Sequence, residues 1–223
     1  MTKQAREADS LKKLIKAACQ PDEGKTQSYE MGTEAWEEWT ETRSHAKDRK
    51  RAVKELKRLG TTAVEATVDS LIKILDSGGR DVRTAAAAEA LGMLGNIRSV
   101  PMLIEHIQYS GERTGEACAE ALVRIGKPSV NPLLKFLTNA NLSTFGYGDD
   151  SGIRLALRAL GQIGDYRALE PLSLIFKFAS AAGRHGDVTQ SELTGCVGVS
   201  LKGIDSRPRT LLERLMGRRP WVR

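Results

Sequence analysis

Large aromatic side chains are scarce in this chain. Trp, Tyr and Phe make up 5 % of 223 residues, too few for a sandwich of large side chains and in keeping with helices packed through Leu, Ile and Ala. Cysteine is equally thin. Cys19, Cys118 and Cys196 are odd in number, far apart and free of any C-x-x-C pair, which suggests neither a disulfide framework nor a zinc site and fits reduced thiols in the cytoplasm. The three histidines, His45, His106 and His185, form no H-E-x-x-H. With no G-x-x-x-x-G-K-[ST] and no G-x-S-x-G either, zinc protease, P-loop and serine hydrolase chemistry have no motif to rest on. No apolar run approaches the ~18 residues of a membrane span, and the opening MTKQAREADS is too polar for a secretory signal. The expectation is a cytoplasmic protein with no membrane contact, no resident metal and no cofactor.

What the chain does have is repetition. Val53 to Gly60 (VKELKRLG), Ala88 to Gly95 (AEALGMLG), Ala119 to Gly126 (AEALVRIG) and Leu157 to Gly164 (LRALGQIG) align, with a weaker copy at Gly198 to Asp205 (GVSLKGID). Leucine holds one slot at Leu56, Leu91, Leu122, Leu160 and Leu201, and an aliphatic follows three later at Leu59, Leu94, Ile125, Ile163 and Ile204. The closing glycine suits the left-handed conformation just past a helix end. A second helix follows each of three copies in SVPMLIEHI, SVNPLLKFL and ALEPLSLIF, with Pro101, Pro132 and Pro171 in a first turn where a missing N–H is harmless. Two helices per unit, at a spacing of roughly 30 to 45 residues, predict a helical solenoid of about five units.

These residues resemble HEAT-like repeats of the phycobilisome-lyase type. The pattern V-R-x-A-A-A-x-A-L-G-x-L-G, then V-P-x-L, is matched best at Val82 to Leu103 and extends over about residues 47 to 216. The resemblance implies an all-α, right-handed α-α superhelix of armadillo type. Relatives of this kind include plain binding scaffolds, chromophore-lyase subunits, alkylpurine DNA glycosylases and an iron-dependent hydroxylase. The hydroxylases carry His-Glu pairs in their first helices. Here those places read Ala88-Glu89 and Ala119-Glu120, while Glu105-His106 is reversed and lies in a second helix, so that activity is rejected.

Charge is unevenly spread. Basic residues exceed acidic ones by 34 to 28, but Lys47 to Arg58 carries seven against two and Arg207 to Arg223 six against one. On a helix, Ala52, Val53, Leu56 and Leu59 gather on one side and Lys47, Lys50, Arg51, Lys54, Lys57 and Arg58 on the other, with Arg49 alone breaking the pattern. The stripe reads as a solvated face or as a site for nucleic acid, an acidic protein or the preceding glutamate-rich segment (Glu34, Glu37, Glu38, Glu41). Within that segment Trp36 and Trp39 pack on the first unit or anchor a partner. At the far end, Arg218, Arg219 and Arg223 around Trp221 read as a frayed tail or a nucleic-acid contact.

Three regions hold the remaining site candidates. If second helices line the concave side, its polar positions are Lys73, Glu105, His106, Lys135 and Lys177, with His106 a possible ligand or a plain surface residue. Two long loops, Thr138 to Gly152 and Ser180 to Ser191, should emerge on one edge and carry Phe145, Tyr147, Arg184 and His185. Asp149 and Asp150 are poor cation ligands on their own, and Asp150 is placed to cap the next helix. The chain therefore divides into capping residues 1–45, a solenoid over 46–216 and a basic tail over 217–223, with no catalytic residues assigned. The leading expectation is a non-catalytic scaffold that binds another protein through its concave face and edge loops. Binding or processing DNA is the alternative, and a bilin-lyase-like subunit the third.

Overall fold

The computed structural model describes residues 13–17, 43–76, 82–109, 112–140, 142, 150–183 and 188–204. Among them the chain is all-α. Nine helices follow in order: α1 Arg43–Arg58, α2 Thr61–Asp76, α3 Val82–Leu94, α4 Val100–Tyr109, α5 Glu112–Ile125, α6 Val130–Asn139, α7 Ser151–Ile163, α8 Leu169–Gly183 and α9 Val188–Ile204. Residues 13–17 are helical too. The first helix of each repeat is therefore α1, α3, α5, α7 or α9, and the second is α2, α4, α6 or α8. Of the expected loop Ser180 to Ser191, Ser180 to Gly183 belongs to α8, whose alanine-rich end sustains the helix, and Val188 to Ser191 belongs to α9; 184–187 are outside the described residues.

The glycine that closes each first helix behaves as the repeat predicts. Gly60, Gly95, Gly126 and Gly164 all have positive φ, at 95°, 73°, 80° and 68°. At Gly126 the ψ of −135° puts the backbone where a side chain is excluded. The N–H groups of Gly95, Gly126 and Gly164 donate back to the carbonyls of Leu91, Leu122 and Leu160. A short 3-10 turn then leads into the second helix at Ile97–Ser99, Lys127–Ser129 and Tyr166–Ala168. Its free N–H is met in two ways. Asn96 Oδ1 accepts from the Arg98 N–H and Asp165 Oδ1 from the Arg167 N–H, each at 2.9 Å, whereas Pro128 has no N–H to satisfy.

Asp165 does more than cap. The Arg167 guanidinium donates to both of its oxygens, at 3.0 and 2.9 Å, and to the Lys127 carbonyl of the preceding corner at 3.0 Å. These bonds hold the buried Asp165 carboxyl down to about 2. Because the folded value lies below the unfolded one, this stabilisation is fully present above about pH 4 and is lost as pH falls toward 2. Asp165→Asn should therefore flatten the acid limb of stability against pH in that window and cost about 1 kcal/mol at neutral pH, as denaturant titrations would show.

The units stack through their first helices. α3 lies on α5 and α7 on α9 more intimately than any two second helices lie on each other, and each second helix sits closer to the first helix of the next unit than to its own. Small residues make this approach possible. A Cβ at Gly92 would fall 2.5 Å from the Ala121 Cα, and one at Gly161 would fall 2.8 Å from the Ser200 Cα. Polar ties cross the same seams: Thr84 and Thr114 share a buried hydroxyl contact at 3.3 Å, and the Ser200 hydroxyl donates to the Leu157 carbonyl at 2.7 Å. The first helices thus form the more closely packed of the two rows.

Beneath both rows runs one continuous core, with Leu71, Leu91, Leu103, Leu122, Leu133, Leu160 and Leu172 fully buried. In an open helix interior Gly→Ala stabilises by roughly 0.5–1 kcal/mol. Gly195 has open space at its Cβ, so Gly195→Ala should behave in that way. At Gly92 the sign should invert: Gly92→Ala must push α3 from α5 and lose about 1–3 kcal/mol in chemical denaturation.

Candidate binding surfaces

The basic stripe is on the surface. Lys47, Lys50, Arg51, Lys54, Lys57 and Arg58 are exposed, with Ala52, Val53 and Leu56 buried behind them. Leu59 departs from the expectation: α1 ends at Arg58, and the turn leaves Leu59 55 % exposed. Arg58 pairs with Glu55 at 3.2 Å. Among the described residues, Lys47, Lys50, Arg51, Lys54 and Lys57 have no ion-pair partner.

Arg49, the residue that broke the stripe, is 2 % exposed and donates to Glu89 Oε2 of α3 at 2.9 Å. It belongs to the seam between the first two units and adds nothing to the external field. A guanidinium out of water needs its carboxylate. Glu89→Ala should destabilise the chain by about 2 kcal/mol in urea, while Lys54→Ala on the opposite face should change stability by less than about 0.5 kcal/mol.

Among the first helices, a groove of about 310 Å³ opens between α5 and α7, lined by Glu116, Ala119, Glu120, Arg158, Ala159 and Gln162. Val123 stands where Gly92 and Gly161 stand in their helices, and α5 and α7 are less intimately packed than α3 with α5 or α7 with α9. The alanines form the floor and the charges form the rim. Arg158 reaches Glu116 across the groove at 3.6 Å, and Arg124 reaches Glu120 along α5 at 3.6 Å. Both pairs are long and solvated, so they yield readily to a partner's charges. Sequence reasoning missed this groove; the signal available was the break in the Leu-Gly pattern at Val123.

The second-helix candidates are dispersed. Lys73, Glu105, Lys135 and Lys177 are exposed on α2, α4, α6 and α8, and His106 is half-buried on α4. All five lie on second helices, as the repeat predicts. Burial lowers the His106 imidazole below its usual value, with Glu105 and Asp76 acting in the opposite sense. Asp150 is the N-cap residue of α7; its carbonyl accepts from the Arg154 N–H at 3.0 Å, but its side chain makes no capping bond. Phe145, Tyr147, Asp149, Arg184 and His185 lie outside the described residues, as do Trp36, Trp39 and the arginine-rich end.

Cys118 is buried between helices, and desolvation pushes its thiol up to about 12, which keeps it protonated and inert. Cys196 is half-buried, with Arg154 Nη1 3.8 Å from its sulfur. Among the described residues no group of three or more His, Cys, Asp or Glu is placed to hold a metal, and no helix is long and apolar enough to cross a membrane.

Comparison with known proteins agrees with this architecture. The family model of HEAT repeats matches residues 68–144, about a third of the chain, from within α2 to just past α6. No curated protein and no solved structure matches. Together with the stacked helix pairs on either side of it, that match identifies the fold as an all-α solenoid of HEAT-like repeats.

Proposed function

We propose that this chain is a non-catalytic scaffold that binds another protein along its row of first helices, centred on the groove between α5 and α7. The observation that carries the reading is the groove itself. It has an alanine floor and a charged rim on a rigid, continuously cored support, and its ion pairs can be exchanged for those of a partner. HEAT repeats commonly serve as protein-interaction scaffolds, which supports the same reading. The edge-loop residues Phe145, Tyr147, Arg184 and His185 would extend the contact beyond the groove. The finer subtype, repeats of the phycobilisome-lyase kind, rests on the residues Val82 to Leu103.

Reversing the rim tests the scaffold reading. In paired affinity captures, proteins that bind the wild-type chain should be lost with Glu120→Lys/Arg158→Glu and kept with Lys135→Glu on a second helix. An identical set of captured proteins from both variants would contradict the first-helix assignment.

A second reading has its own observation: five of the six stripe residues on α1 have no ion-pair partner among the described residues. This favours an anionic partner, with nucleic acid the most general one. Titration of labelled duplex DNA should then show micromolar binding that weakens steeply between low and near-physiological salt and vanishes with Lys50, Arg51, Lys54 and Lys57 all changed to Glu. Absence of binding at low salt would leave the stripe as solvated surface.

A further inference from the structure

The basic stripe on α1 and the groove between α5 and α7 lie on the same side of the row of first helices. Buried positions fix this, because they keep one phase from helix to helix. Ala52, Val53 and Leu56 of α1 stand where Ala87, Ala88 and Leu91 stand in α3, Cys118, Ala119 and Leu122 in α5, and Ala156, Leu157 and Leu160 in α7, and all of them are buried. With 3.6 residues to each turn, matched burial means matched exposure. Lys50, Lys54 and Arg58 accordingly correspond to Glu116, Glu120 and Arg124 of α5 and to Arg154, Arg158 and Gln162 of α7, every one exposed. In α3 the same positions are Ala85, Glu89 and Met93; the first is buried and the other two are half-buried. The stripe and the groove are thus two parts of one band across the row.

Charge divides the band. At the groove it is balanced: Glu116 pairs with Arg158 and Glu120 with Arg124. On α1 it is not. Glu89 matches Arg49 and Glu55 matches Arg58, which leaves Lys47, Lys50, Arg51, Lys54 and Lys57 against a single remaining carboxylate of that helix, Asp48, on the flank of the stripe. The carboxylates of α2, Glu65, Asp69 and Asp76, stand on the other row. The positive surplus is therefore confined to the ~15 Å of helix between Lys47 and Lys57. Duplex nucleic acid carries a negative charge every ~1.7 Å and keeps it along its whole length. Past α1 such a ligand would find no further surplus, and it would meet the Glu116 and Glu120 side chains, 55 % and 59 % exposed. A protein can end its acidic stretch where the stripe ends.

We propose that one protein partner spans this band, laying a short acidic stretch on α1 and a charge-balanced surface in the groove between α5 and α7. The proposal rests on the scaffold reading and adds the chemistry of its partner. The stripe steers the partner's approach and makes association sensitive to salt, whereas the exchange of ion pairs at the groove fixes register.

Labelled polyglutamate of 20 residues, titrated against the full chain by fluorescence anisotropy at low salt, serves as the acidic probe. Saturable binding is expected, weakened at least tenfold by Lys50→Glu/Lys54→Glu and unchanged by Lys135→Glu. Glu116→Gln/Glu120→Gln releases Arg158 and Arg124, so a peptide that reaches from α1 to the groove should bind this variant at least threefold tighter. That gain should shrink for hexaglutamate, which extends no further than ~20 Å. Circular dichroism melts check that each variant is folded. In affinity captures, partners lost with Glu120→Lys/Arg158→Glu should be lost with the stripe variant as well and should survive nuclease treatment of the lysate. Partners lost with the groove variant but kept with the stripe variant would overturn this proposal and leave the scaffold reading standing, whereas partners kept with the groove variant would remove both. A gain independent of peptide length would show that stripe and groove are separate surfaces. Absence of binding up to millimolar peptide, as when Glu34, Glu37, Glu38 and Glu41 of the chain itself fill the stripe, would also overturn it. So would loss of the partners on nuclease treatment, which would assign the stripe to nucleic acid.

Discussion

Close approach between neighbouring first helices is the constraint on which the rest of this molecule depends. Gly92 lies against Ala121 and Gly161 against Ser200, with no room for a Cβ at either glycine. The alanines from Ala85 to Ala88 extend the same thin surface along α3. The row of first helices is tighter than the row of second helices. Between α5 and α7, where valine replaces glycine, the helices are less intimately packed than α3 with α5 or α7 with α9, and a groove appears. The packing of first helices thus tracks side-chain volume at one repeated position.

Electrostatics acts on this frame in two distinct ways. Inside it, Arg49 pairs with Glu89 across the first two units and Arg167 with Asp165 within one corner, and their charges are spent within the structure. Outside it, the α1 stripe and the groove rim present charges that are solvated or loosely paired and remain open to exchange with a partner. Sequence counting lumps the two kinds together. Arg49 adds to the formal charge of the stripe although its guanidinium is 2 % exposed and neutralised from α3.

Much of the fold was legible because it is written in local chemistry. Helix ends are set by glycines in positive-φ positions, second helices by prolines in a first turn, and the buried side by leucines at helical spacing. The exposure of the stripe could be read the same way. Arg49 was visible only as a misfit, since its partner is 40 residues distant and a neighbour only after the helices stack. The segment Ser180 to Ser191 was overcounted as loop because its glycines and serines outweighed the helix-forming alanines of FASAAG. The groove left only one trace, Val123 in place of glycine, which reads as noise until the seam it belongs to is known.

The most direct test of the account is a crystal structure of the Val123→Gly variant. If the residue at this position sets the spacing of first helices, α5 and α7 should close to the separation seen between α3 and α5, and the groove bounded by Glu116, Glu120 and Arg158 should shrink. A groove of unchanged width in that variant would show that the spacing is imposed elsewhere and would contradict the link drawn between sequence repeat, helix spacing and site.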